Sequence, residues 1–136
     1  GTATFTIKAY LASGYVVTTI SDPPKNASYT ITNMATTAAS APGTEQFGIN
    51  LRANTSPTTV GADPVQLPDA SFSFGQVSAD YNTVNQFKYV KNDVIAYSNK
   101  SSGITQFTMT YLMNIKSTTP GGTYVMDHNL VATGTF

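Results

Sequence analysis

Alternation of apolar and polar residues is the dominant signal along this chain. In "TATFTIKAYL", Ala3, Phe5, Ile7, Ala9 and Leu11 fall on one side and Thr2, Thr4, Thr6, Lys8 and Tyr10 on the other, which is the period of a half-buried β-strand. "EQFGINLRA" repeats the pattern with Phe47, Ile49, Leu51 and Ala53, and "ITQFTMTYLMNI" repeats it with Phe107, Met109, Tyr111, Met113 and Ile115. Shorter candidates are "GYVVTTI", "SYTITNM", "SFSFGQV", "QFKYV" and "DVIAYS". The closing stretch, "TYVMDHNLVATGTF", sets Tyr124, Met126, His128, Leu130, Ala132 and Phe136 on one face. Nothing shows an apolar period of 3.6 residues, so helices are not expected.

Turn formers separate these runs. "SDPPKN" reads as a turn, "NKSSG" as a break, and "KSTTPGG" as the link that folds the last two strands into a hairpin. Ala35 to Gly43 has no period and reads as a surface connection. The longest irregular stretch runs from Asn54 to Asp69 and holds Pro57, Pro64 and Pro68, which cannot donate to a sheet ladder. Together the pattern predicts an all-β antiparallel sandwich, Ig-like or jelly-roll-like, of about eight or nine strands. The 136 residues fit one domain over 1–136. Tyr10, Tyr81 and Tyr97 are not placed inside by the pattern.

Composition narrows the function classes. Charged residues make up 10% of the chain, against roughly 25% in an average soluble protein. Thr, Ser and Asn fill that space, a surface commoner among secreted and assembled β-proteins. There is no cysteine, which removes disulfides, zinc-thiolate sites and thiol nucleophiles. Seven basic residues balance seven acidic ones, leaving no field that would draw nucleic acid. No apolar run is long enough for a transmembrane segment, and no basic-then-apolar leader opens the chain. The expectation is an extracellular or cell-surface location after removal of a signal peptide.

Candidate chemistry centres on the single histidine. A Ser-His-Asp site would need a nucleophile elbow and a buried carboxylate, and the sequence shows neither spacing. His128 on an apolar face reads instead as a packed imidazole hydrogen-bonded to backbone or hydroxyl, or as an interface residue together with Phe136. A membrane-barrel reading of the aromatic ending meets Gly134, Ala132 and His128 on the same face, a poor lipid band. Asn54, Asp63 and Asp69 mark the proline-rich loop as a candidate ligand site, and oxygen ligands there would suit calcium, but the spacing is not that of a calcium loop and turn roles are favoured. No cofactor or metal is expected. Lys8 lies on the Thr face, away from Phe5 and Ile7, so a buried Lys-Asn isopeptide crosslink is not expected there. The sequons at Asn26, Asn54 and Asn99 occur at the frequency a Ser/Thr-rich chain gives by chance.

Three stretches, "SGYVVTTISDPP", "PGTEQFGINLRANTSP" through "GADPVQLPDASFSFG", and "YNTVNQFKYV" with the closing "TYLMNIKSTTPGGTYVMDHNLVATGTF", together resemble a family of secreted cell-surface proteins of ultrasmall candidate-phylum bacteria such as the Saccharibacteria. A fainter resemblance is to WxL-type surface domains of Gram-positive bacteria, although no Trp-x-Leu occurs here. The resemblance implies a signal peptide and further β-sequence ahead of the part matching Thr2, and hence a processed or partial form. No catalytic residue is known for the family, so none is carried over.

The resulting expectation is a non-enzymatic extracellular structural protein, a self-assembling filament or surface-layer subunit whose partner is another copy of itself. Phe5, Ile7, Ala9 and Leu11 would form a strand exchanged between subunits. The alternative is a surface adhesin that binds a host-cell glycan or surface protein through the 54–69 loop.

Overall fold

Strand formation follows the alternation. The computed structural model describes residues 1–10, 12–68 and 75–136. In chain order the elements are β1 (Thr2–Ala9), β2 (Gly14–Thr19), β3 (Lys25–Asn26), β4 (Tyr29–Thr30), β5 (Ala38–Ala39), β6 (Gln46–Asn50), β7 (Val65–Leu67), β8 (Gln76–Val77), a 3-10 turn (Ala79–Tyr81), β9 (Gln86–Phe87), β10 (Val94–Ser98), β11 (Ser102–Asn114) and β12 (Leu130–Thr135). Tyr15, Val17 and Thr19 of β2 are buried. On β11 the predicted face is buried at Phe107 and Met109, but Met113, and Ile115 just past the strand's end, are exposed and Leu112 from the opposite phase is buried instead, because the strand runs past the core there.

The strands form an antiparallel β-sandwich. One sheet has the order β1-β11-β6, with β7 also paired to β11. β11 is its axis: β1 runs along residues 102–110 on one side, while β6 (opposite 110–114) and β7 (opposite 104–106) share the other. The second sheet has the order β12-β2-β10-β8. Between them lies a core of Tyr15, Val17, Ile49, Leu51, Ile95, Phe107 and Met109, extended by Ile31, Phe47, Tyr81 and Tyr89 from the edges and connections. Fully burying such side chains contributes about 1.5–3 kcal/mol each for the aliphatic ones and Phe. A smaller cluster of Met34, Phe87 and Leu112 covers the outer face of the first sheet, where β5 pairs with β9.

Several local expectations are corrected. β11 and β12 are not a hairpin. They belong to opposite sheets, and residues 115–129 cross between them with Val125 bridged to Lys25. A Pro-Gly-Gly turn serves either connection, and pairing with β2 packs the half-buried Leu130 against the core. "SYTITNM" is strand only at Tyr29–Thr30, and the stretch from Ala35 to Gly43 contributes β5. The 54–69 segment is not one open loop: Asn54 and Val60 form a bridge, and β7 docks on β11. At Gly61 the backbone adopts φ +85° and passes so close to Thr110 and Arg52 that a Cβ would lie 2.3 Å from the Thr110 hydroxyl, so only glycine fits. Tyr81 is buried, its hydroxyl donating to Asp93 at 3.0 Å. Leu11 and Asp69, and most of the "SFSF" run, lie outside the described residues.

Candidate functional site

One side of the sandwich is a seam between its two terminal strands, β1 of the first sheet and β12 of the second. Each pairs on one side only among the described residues. A groove of about 480 Å³ lies between them, lined by Ile7, Ala9, Tyr15, Ala132 and Phe136 among others. A second groove of about 600 Å³ opens near Gly1, where Tyr111, Tyr124, Met126 and His128 line it. There the apolar face of β11 runs out of the core: Phe107 is fully buried, whereas Met113 is 50% exposed.

His128 is held at this second groove by hydroxyls alone. Its Nδ1 lies 2.8 Å from the Tyr111 hydroxyl and its Nε2 lies 2.7 Å from Thr19 Oγ1. Thr19 Oγ1 lies 3.1 Å from the Tyr89 hydroxyl, which donates to the Ser21 carbonyl at 2.8 Å. A carbonyl only accepts, so the direction of the whole chain follows. The Tyr89 proton goes to Ser21, the Thr19 hydroxyl donates to Tyr89, His128 Nε2–H donates to Thr19, and the Tyr111 hydroxyl donates to Nδ1. This assigns the neutral Nε2–H tautomer. Burial lowers the His128 pKa and, as the larger effect, pushes the Tyr111 hydroxyl up to about 12, so both are uncharged at neutral pH. Edge-to-face contacts with Tyr89 and Tyr111, with centroids 5.8 and 5.6 Å away, fix the ring. The sequence reading of His128 as a packed, hydroxyl-bonded imidazole matches this geometry. Phe136, by contrast, is 96% exposed, and Ala132 is exposed too, so the terminal face does not continue inward past Leu130.

The residues singled out in the 54–69 loop are tied into the fold. Asn54 is 2% exposed and exchanges side-chain amide bonds with Asn50, at 2.7 and 2.9 Å. Its Nδ2 also donates to the Arg52 carbonyl, and its Oδ1 accepts from the Asn85 amide. Asp63 sits at the surface, pairs with Arg52 Nε at 3.0 Å and accepts the Ala53 amide. The two side chains therefore serve the loop's own structure. Among the described residues, no group of three or more His, Asp or Glu side chains gathers where it could hold a metal ion. Lys8 is exposed on the Thr face of β1, with its ammonium over the Tyr10 ring.

The chain matches no protein family, no curated protein and no solved structure. The functional reading therefore rests on geometry.

Glu45 is the polar node that the sequence reading missed. It is 6% exposed, and among the described residues no salt bridge reaches it. Its carboxylate accepts from Thr119 Oγ1 at 2.5 Å, Thr32 Oγ1 at 2.7 Å, the Tyr29 hydroxyl at 2.8 Å and the Thr32 amide at 3.0 Å. Those donors, led by Thr119, hold its pKa down at about 2. A glutamate in "GTEQF" gives no local sign of this, because all its partners come from other segments. Tyr111 was foreshadowed by its place on the apolar face of β11, whereas Thr19 was not, and nothing local shows that β2 and β11 face each other. Among the described residues no helix is long and apolar enough to cross a membrane.

Proposed function

We propose that this is a non-enzymatic structural protein that assembles with copies of itself through its free sheet edges, outside the cell, as a subunit of a filament or surface layer. The observation that carries the reading is the pair of terminal strands that, among the described residues, pair on one side only and are lightly guarded. β12 carries no charge and no proline, and β1 carries one charge, Lys8. Natural sheets usually blunt such edges with charges, prolines or bulges, because exposed backbone groups recruit further strands. Two edges on one molecule allow each copy to meet two others, which is what an open array requires. The sparse charge and the hydroxyl-rich strands support an extracellular setting. The engagement of both His128 nitrogens by hydroxyls supports a packing role for the ring.

Exchange of β1 between subunits would need that strand to leave β11, on which Phe5 stacks over Phe107 at 5.0 Å. Edge pairing leaves it in place and is the simpler route. The test is concentration-dependent light scattering and electron microscopy of the full chain at neutral pH. Ordered assemblies support the reading. A monomer that persists at millimolar concentration overturns it.

A further inference from the structure

β1 has a sequence that complements itself. Thr2 faces Thr110 and Phe5 faces Phe107 on β11. The Tyr111 amide donates to the Gly1 carbonyl at 2.8 Å, which makes this a hydrogen-bonded pair. In an antiparallel ladder such pairs alternate, so Ala3, Phe5 and Ile7 also turn their backbone groups toward β11, while Thr2, Thr4 and Thr6 turn theirs away. Among the described residues no strand pairs with that outer edge. From Thr2 to Ile7 it carries no charge, no proline and no break in register. Lys8 and the irregularity between Ile7 and Ala9 stand at one end only.

Resting on the reading of this chain as a self-assembling subunit, we propose that β1 pairs antiparallel with β1 of a second copy about a twofold axis through Thr4. Twofold pairing must bring outward backbone groups to outward backbone groups; an axis at Thr2 leaves almost no overlap and one at Thr6 sets Lys8 opposite Thr4 beyond the irregularity after Ile7, which leaves Ala3, Thr4 or Phe5. An axis at Ala3 gives the shortest overlap. An axis at Phe5 sets two Phe5 side chains directly opposite each other in the closer, non-hydrogen-bonded position, and draws Lys8 opposite Thr2. The Thr4 axis avoids both. Thr2 of one copy faces Thr6 of the other, Thr4 faces Thr4, and the exposed face becomes a ladder of threonines, a favourable cross-strand pairing. On the inward face Phe5 lies opposite Ala3 and Ile7 opposite Gly1, large against small at each step. Lys8 falls beyond the matched threonines. The contact is isologous, each residue meeting its counterpart reciprocally, and the two sheets become one across the pair.

The absence of native cysteine makes the register directly testable. Hydrogen-bonded antiparallel pairs hold Cα atoms about 5.5 Å apart, within reach of a disulfide. Under mild oxidation full-length Thr4→Cys should form a covalent dimer, Thr2→Cys alone should not, and a mixture of Thr2→Cys and Thr6→Cys should form the heterodimer. Thr118→Cys, exposed on another loop, sets the background. Thr4→Pro removes an outward donor and leaves the β11 ladder intact, because proline is tolerated on an edge strand whose N–H faces away. It should keep the circular dichroism spectrum and weaken self-association roughly tenfold or more. If the unmodified chain assembles while Thr4→Cys crosslinks no better than Thr118→Cys and folded Thr4→Pro assembles as before, the β1 pairing is overturned and the broader reading stands. If the unmodified chain never assembles, both fall.

Discussion

Asn50 and Asn54 hold each other's side-chain amides in a reciprocal pair inside the fold, with Asn50 Nδ2 to Asn54 Oδ1 at 2.7 Å and Asn54 Nδ2 to Asn50 Oδ1 at 2.9 Å. Removing either side leaves buried donors and acceptors without partners. Asn54→Ala is expected to cost about 1–3 kcal/mol, and Asn54→Asp more, because an ionised carboxylate would be buried there without a cation. Urea denaturation of the two variants and of Asn50→Ala measures this. The double variant Asn50→Ala/Asn54→Ala should lose less than the sum of the single losses.

His128 makes stability fall on mild acidification. Its folded pKa is depressed by burial, so the unfolded chain takes up the proton first. The contribution is complete above the ordinary histidine value of about 6.5 and is lost as pH falls below it. Melting temperatures should therefore decline between about pH 7 and pH 5. His128→Gln, which cannot titrate, should flatten that decline, and an unchanged slope would refute the assignment.

Glu45 acts in a lower window with the same sign. Its depressed pKa means that its contribution is complete above about 4.5 and is lost as pH falls toward about 2. Glu45→Gln keeps the shape but replaces one acceptor oxygen with a donor facing hydroxyls. It is expected to destabilise by about 1–3 kcal/mol at neutral pH, with a smaller difference from the parent in acid. Guanidinium unfolding at pH 7 and near pH 3 compares the two.

Gly61→Ala should cost more than an ordinary loop substitution. The left-handed backbone at this position penalises any Cβ, and the nearest obstacles are the Thr110 hydroxyl and the Arg52 carbonyl, the second of which belongs to backbone. A loss of at least about 1 kcal/mol in thermal unfolding is expected, with the fold retained.

What the alternation conveyed was local. β1, β6 and β11 were legible because their sequences alternate, although the burial is less regular: β1 is only half-buried at Phe5, Ile7 and Ala9, β6 is buried on both faces, and β11 keeps one buried face only as far as Met109. Which strands face each other was not legible, since "KSTTPGG" can reverse a chain within one sheet or carry it across to another. Only the contact of Leu130 with the core decides between them. The same limit explains Asn54. An asparagine among prolines reads as solvated loop, and its burial depends on Asn50, Arg52, Val60 and Asn85 arriving around it. His128 was the easier case, because its position on an apolar phase already implied packing, and Thr and Tyr supply most of the hydroxyls available.

The long strand β11 pairs with β1, β6 and β7, all made well before it, and β12 completes the other sheet at residues 130–135. Neither sheet can close until the strands within residues 102–135 have been made. Contacts this distant in sequence make for slow formation of the native state and for a nascent chain that stays unstructured. A chain cut before β11 would therefore hold neither sheet closed, and resistance to protease should appear only once both β11 and β12 are present.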